Sequence, residues 1–217
     1  MSAARPHAAG LTRRAFVATA MLGALPAARG WCGEAAADAR RLAFRIRIDG
    51  FGGARAEDIE AVIRSAGDQI WRHCPDVRLA GPGIEVYHNP KFPITHFAPS
   101  ADGWIVIGLA VQGNLWARFG YQFSHEFAHA LIDHANDPSR VWHKLGHAHQ
   151  WLEESVCEAA SLFCLRAMAR TWAERPPYPN WKSYAPSLAD YAAQHLAAPG
   201  RQLPDGQAFA AWFAAEE

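Results

Sequence analysis

The residues best suited to chemistry are His125, Glu126 and His129, which together make the five-residue pattern His-Glu-x-x-His. Residues four apart on an α-helix share a face, so both imidazoles can reach one metal ion. Glu126 follows the first histidine directly and points to the side of that face, beside an open coordination position. There its carboxylate can take a proton from a water molecule. A helix is expected over residues 113–135, where Leu115, Trp116, Phe119, Phe123, Phe127, Ala130 and Leu131 recur at steps of three and four. A strand-like run, residues 104–111, lies just upstream.

Two histidines rarely hold a catalytic zinc, so a third protein ligand is required. One zincin arrangement supplies a histidine six residues after the second, following a glycine. Ile132 and Ala135 occupy those places here, and His134 is one residue short. The other arrangement supplies a glutamate from a second helix. Trp151-Leu152-Glu153-Glu154-Ser155 opens a helical run over residues 153–171, rich in Ala, Leu, Phe and Met.

His-Glu-x-x-His followed by Trp-Leu-x-Glu and a small residue resembles the gluzincin metallopeptidases, including the small peptidase-MA-like members. The resemblance covers about residues 104–170. It implies that Glu154, at the fourth place of Trp-Leu-x-Glu, is the third zinc ligand. It also implies that the acid four residues later, Glu158, hydrogen-bonds a ligating histidine. Glu158 has a longer side chain than the aspartate frequent there, and Ser155 stands where glycine is common.

Elementary coordination chemistry leads to similar residues. A ligating imidazole needs its second ring N–H held by an acceptor, and a carboxylate is a common choice. Glu154 and Glu158 are one helical turn apart on one face, whereas Glu153 is expected to point elsewhere, into solvent. Residues 136–150 read as a polar loop whose His143, His147 and His149 lie on the surface. The alternative is that one of them replaces Glu154 or touches the substrate. Cys157 is a weaker candidate ligand, because a helix cysteine among apolar neighbours is more often a small core residue.

The chain has 217 residues, half of them apolar, with nine tryptophans, enough for one domain with a real core. Its formal charge is zero, and no basic stripe suggests nucleic acid. Residues 1–37 read as a signal peptide and a short N-terminal segment, ahead of a single domain over 38–217. Arg13-Arg14-Ala15-Phe16 before an apolar run resembles a twin-arginine signal, the alternative being an ordinary secretory signal. Cleavage after Ala28 or Ala37 fits, and loss of residues 1–28 removes Arg5, Arg13 and Arg14 and no acid. Arg29-Gly30-Trp31 before Cys32 argues against a lipidated cysteine. No later apolar run can span a bilayer, so the expected destination is the periplasm or the exterior. An oxidising compartment permits disulfides among Cys32, Cys74, Cys157 and Cys164. Cys157 and Cys164, about 10 Å apart on one helix, cannot pair with each other.

Along the mature chain, residues 42–49 read as a strand, 56–73 as a helix, 84–87 as a short strand and 88–103 as a loop. Residues 187–197 and 207–215 read as further helices. The order suits an α+β domain, a small mixed sheet with the motif helix beneath it, and the gluzincin resemblance implies a zincin-like fold. The resemblance also implies an edge strand that pairs with an extended peptide substrate; the strands containing Tyr87 and Trp104 are the candidates. Tyr178, Tyr184, Tyr191 and His195 are expected mainly to pack, with oxyanion stabilisation as the alternative. The expected activity is peptide hydrolysis with one Zn2+ on His125, His129 and Glu154, and Glu126 as general base. The rivals are a zinc-holding, non-hydrolytic binding protein on the same fold and an envelope protein with a fortuitous motif.

Overall fold

A computed structural model describes residues 41–133 and 150–202, with isolated positions 208, 210, 211 and 214. The expected signal peptide, His134, the histidines 143, 147 and 149, and five of the nine positions of the expected helix at 207–215 lie outside the described residues.

Among the described residues, four strands make one sheet: β1 (Phe44–Arg47), β2 (Ile84–His88), β3 (Ile94–Thr95) and β4 (Ile105–Leu109). Among the described residues it is accompanied by the α-helices α1 (Ala56–Trp71), α2 (Trp116–Asp133), α3 (Gln150–Glu174) and α4 (Ala185–Ala197). The class is α+β with a small mixed sheet. Strand order is β1-β2-β4-β3, with β1, β2 and β4 parallel and β3 antiparallel to β4. The register sets Ile84 beside Ile105 and Thr95 beside Ile107.

One face of the sheet lies on the helices. Ile84, Val86, Ile105 and Ile107 are fully buried, against the helices. The opposite face is polar, with Glu85 bridged by Arg45 at 2.5 Å and Arg47 at 3.6 Å. Gly81 has φ +84°, and a Cβ there would collide with the carbonyl oxygen of Gly103. The two turns leading into β2 and β4 therefore approach backbone to backbone.

The stripe on α2 is buried as its spacing demands: Trp116, Phe119, Phe123, Phe127 and Ala130 line one side. Phe123 stacks on Phe127 at 5.6 Å and meets the edge of Phe44. Leu115 is outside the stripe, ahead of the helix and 47% exposed. Helix α3 is longer than its sequence pattern suggests, and it packs against α1, α2 and α4 together. This explains why its apolar residues show no single stripe. Pro176, Pro177 and Pro179 follow its end.

Residues 88–103, expected as a loop, contain β3. Two residues in a proline-rich stretch carry too little pattern to read as a strand; the pairing with β4 creates it. The candidate edge strands are corrected with it. The Tyr87 strand lies between β1 and β4, and the strand after Trp104 lies between β2 and β3. The edge beside α2 is β3. Among the described residues no helix is long and apolar enough to cross a membrane. Cys157 and Cys164 are buried free thiols.

Candidate metal centre

Small residues set the distance between the two helices that carry the site. Gly120, Ser124 and Ala128, spaced four apart, are all buried on α2. A Cβ on Gly120 would stand 3.2 Å from Met168 Sδ and 3.6 Å from a Leu165 methyl of α3. Close approach there brings the first turns of α3 across the motif face of α2.

His125, His129 and Glu154 meet at that crossing. Nε2 of His125 lies 3.3 Å from Nε2 of His129 and 3.3 Å from Oε2 of Glu154, and the third side of the triangle is 3.8 Å. Among the described residues these three make the one grouping of His, Cys, Asp or Glu able to hold a metal ion. Three N and O donors about 2.0–2.2 Å from one ion at tetrahedral angles stand about 3.3–3.6 Å apart, so the triangle has the right size.

Proton positions support the same conclusion. Nδ1 of His129 lies 2.7 Å from Oε1 of Glu153, and a carboxylate can only accept, so the imidazole carries its proton there. Nδ1 of His125 faces Oε2 of Glu158 at 3.6 Å. With both Nδ1 atoms directed at carboxylates, the neutral imidazoles would each turn an Nε2 lone pair toward one point, together with a lone pair of Glu154. Three converging acceptors repel one another unless a cation lies between them. The donor set, two imidazoles and one carboxylate, suits a first-row metal ion and leaves a coordination position open.

Glu153 is therefore not a solvated side chain, which corrects the expectation for it. Its side chain is 21% exposed. The four-residue step between Glu154 and Glu158 says only that those two share a face. The slant of α3 across α2 brings Glu153 over the second histidine while Glu154 sits between the two. Each imidazole of the site thus has its own outer carboxylate, Glu158 for His125 and Glu153 for His129.

Glu158 is the centre of a further set of contacts. The hydroxyl of Tyr121, one turn before His125, donates to its Oε1 at 2.5 Å. Nη1 of Arg201 donates to the same oxygen, and Nη2 of Arg201 donates to the hydroxyl of Tyr121 at 3.1 Å. Burial opposes ionisation of Glu158, but hydrogen bonds from His125 and Tyr121 and the charge of Arg201 outweigh it and hold the carboxyl down at about 2. Burial likewise lowers His125, yet Glu154, Glu158 and Glu126 together raise it to about 9. Burial and Glu158 push the Tyr121 phenol well up.

Glu126 is 5% exposed and does not belong to the triangle. Its carboxyl is raised, first by burial, against the pull of His125 and His129. The hydroxyl of Thr95 on β3 reaches its main-chain oxygen at 2.7 Å and its Oε2 at 3.0 Å. The triangle opens on a cleft of about 490 Å³. Its lining includes apolar Pro93, Ile94 and Phe97 and the acids Glu126, Asp133, Glu153 and Glu154.

Cys157 is fully buried, is not one of the grouped ligands, and burial raises its thiol strongly. Tyr178, Tyr184, Tyr191 and His195 do not line the cleft. Tyr191 and His195 pack on Tyr121, with the His195 ring stacked at 4.3 Å; Tyr184 accepts from the Ala117 N–H at 3.3 Å. Sequence reasoning missed Thr95, Tyr121 and Arg201. Tyr121 had a usable signal, its place four residues before His125 on the motif helix. Thr95 and Arg201 had none.

No protein-family model matches the chain, and no curated protein and no solved structure matches it.

Proposed function

We propose that this protein is an exported zinc-dependent peptidase of gluzincin type on a zincin-like fold. The observation that carries the reading is the convergence of three acceptors, His125 Nε2, His129 Nε2 and Glu154 Oε2, within 3.3–3.8 Å of one another, with Glu126 beside them. His125, His129 and Glu154 would hold the ion. Bound zinc supplies Lewis acidity, polarising a scissile carbonyl and acidifying a water.

The chain's own groups do the rest. Glu126 takes the proton of the attacking water and later passes it to the leaving amine. Thr95 holds the Glu126 carboxylate from the strand side. Glu153 and Glu158 keep each imidazole in the tautomer whose Nε2 can ligate. Edge strand β3 borders the cleft, so an extended peptide can add to it through main-chain hydrogen bonds and lie across the site. The exported location rests on the signal-like N-terminus.

The test pairs metal analysis of the purified protein with peptide-library cleavage by wild type and Glu126→Gln. The reading expects one zinc per chain and cleavage that Glu126→Gln removes. Stoichiometric zinc with no Glu126-dependent cleavage would leave the non-hydrolytic binding protein. Absence of stoichiometric metal would make the motif fortuitous.

A further inference from the structure

Arg201 lies 43 residues beyond Glu158, in the short 3-10 turn Pro199–Arg201 that follows α4. The turn is braced by its own backbone, with Arg201 N–H donating to Ala198 at 2.8 Å and Gln202 N–H to Pro199 at 3.2 Å. Its guanidinium enters a poorly hydrated place: the side chains of Arg201 and Glu158 are 19% and 10% exposed.

A guanidinium has five donors and no acceptor. Nη2 of Arg201 donates to the Tyr121 oxygen, so the single proton of that hydroxyl points away, to Oε1 of Glu158. Nη1 of Arg201 donates to Oε1 as well. Both lone-pair directions of Oε1 are then taken from the side away from the site. Oε2 alone faces His125 Nδ1. Donation therefore converges on Glu158: Arg201 and Tyr121 donate to its Oε1, and its Oε2 is left to accept from Nδ1–H of His125, which turns Nε2 of that ring toward the triangle.

We propose that Arg201 is a positioning residue for His125, acting through Glu158 and Tyr121. This inference rests on the metal-centre reading above. The C-terminal turn after α4 thereby becomes part of the metal centre, although it does not touch the ligands. Loss of Arg201 frees Tyr121 to turn its proton elsewhere. It also leaves Glu158 able to rotate either oxygen toward His125, so the imidazole loses its fixed orientation.

The experiment measures zinc affinity of the full chain by competition with a chromophoric chelator. It compares wild type, Arg201→Ala, Glu158→Ala and the double variant. Loss of an outer carboxylate costs about 10- to 100-fold in metal affinity. Arg201→Ala is expected to weaken zinc about 10-fold, toward the low end of that range. In the Glu158→Ala background the same change should add almost nothing, because residues acting through one contact are not additive. Thermal melting of the metal-free proteins is recorded alongside.

Wild-type zinc affinity in Arg201→Ala overturns the proposal, even if its metal-free melting point falls, since that is the pattern of a purely structural tether. Multiplying losses in the double variant overturn it as well. If Arg201→Ala does not fold, Arg201→Met, which keeps the apolar stem, is read in its place with the same expectations. Wild type that binds no stoichiometric zinc sinks the metal-centre reading itself. Normal wild-type binding with an unaltered variant sinks only the role of Arg201.

Discussion

The hydroxyl of Thr95 stands 2.7 Å from the main-chain oxygen of Glu126 and 3.0 Å from its Oε2, so the edge strand and the motif helix are joined at the candidate base. A hydroxyl has one proton and serves one acceptor at a time. It can donate to the ionised carboxylate and accept from the protonated one, which fits a group that must gain and lose a proton. Thr95→Val keeps the shape and removes the hydroxyl. We expect kcat on a cleaved peptide to fall on the order of 10-fold through misorientation of the base, with zinc retained and Thr95→Ser close to wild type. An unchanged kcat in Thr95→Val would remove Thr95 from the machinery.

Glu126→Gln should keep its zinc while hydrolysis falls by about 10²- to 10⁴-fold, the usual contribution of a positioned acid–base group. Gln is nearly the same size and can still hydrogen-bond a water, yet cannot accept its proton. The two proteins are compared at matched zinc occupancy, because metal loss would imitate the defect. Equal rates would mean that the cleavage arises elsewhere.

The two histidines and three carboxylates of the site should separate into classes. His125→Ala, His129→Ala and Glu154→Ala each remove one of three ligands and should abolish stoichiometric zinc against a chelator. Glu153→Ala and Glu158→Ala remove only the acceptors behind the imidazoles and should weaken zinc about 10- to 100-fold. If Glu153→Ala abolishes binding while Glu154→Ala is tolerated, the two glutamates have exchanged roles.

Zinc should stabilise the fold through binding alone. At free zinc about 100 times its Kd the expected gain is about 2.7 kcal/mol, assuming that the unfolded chain binds none. Chelation should lower Tm in wild type and leave it unmoved in His129→Ala, as read by thermal melting with and without chelator. Identical shifts in both proteins would place the stabilising ion at another site.

Core stability and metal binding should be separable along α3. Trp172 is fully buried and its Nε1–H donates to Ser65 Oγ at 2.7 Å. It lies 18 positions beyond Glu154, about 27 Å along the helix at 1.5 Å per residue. Trp172→Ala should cost about 3–5 kcal/mol in denaturant unfolding of the metal-free protein. Zinc affinity of the folded variant should stay near wild type. A large loss of affinity would show that the far end of α3 helps to set the site.

The sequence alone determined the parts governed by local periodicity. A 3.6-residue repeat of Trp116, Phe119, Phe123 and Phe127 requires a helix with one buried side, and four-residue spacing then places His125 and His129 together. Alternation over residues 42–49 and the apolar run at 104–111 read as strands. The short segment holding Glu154 was legible through its resemblance, and Glu158 through the helical turn between the two. Tertiary structure alone decided which strand borders the cleft, since a two-residue strand exists only by pairing with β4. It alone turned Glu153 inward, because the crossing of α3 over α2, set by Gly120 against Met168, depends on contact between distant segments. It alone brought Thr95 to Glu126 and Arg201 to Glu158, across 31 and 43 positions of chain. No local pattern encodes such pairs; they arise when packed elements bring together groups whose buried charges and protons then require one another.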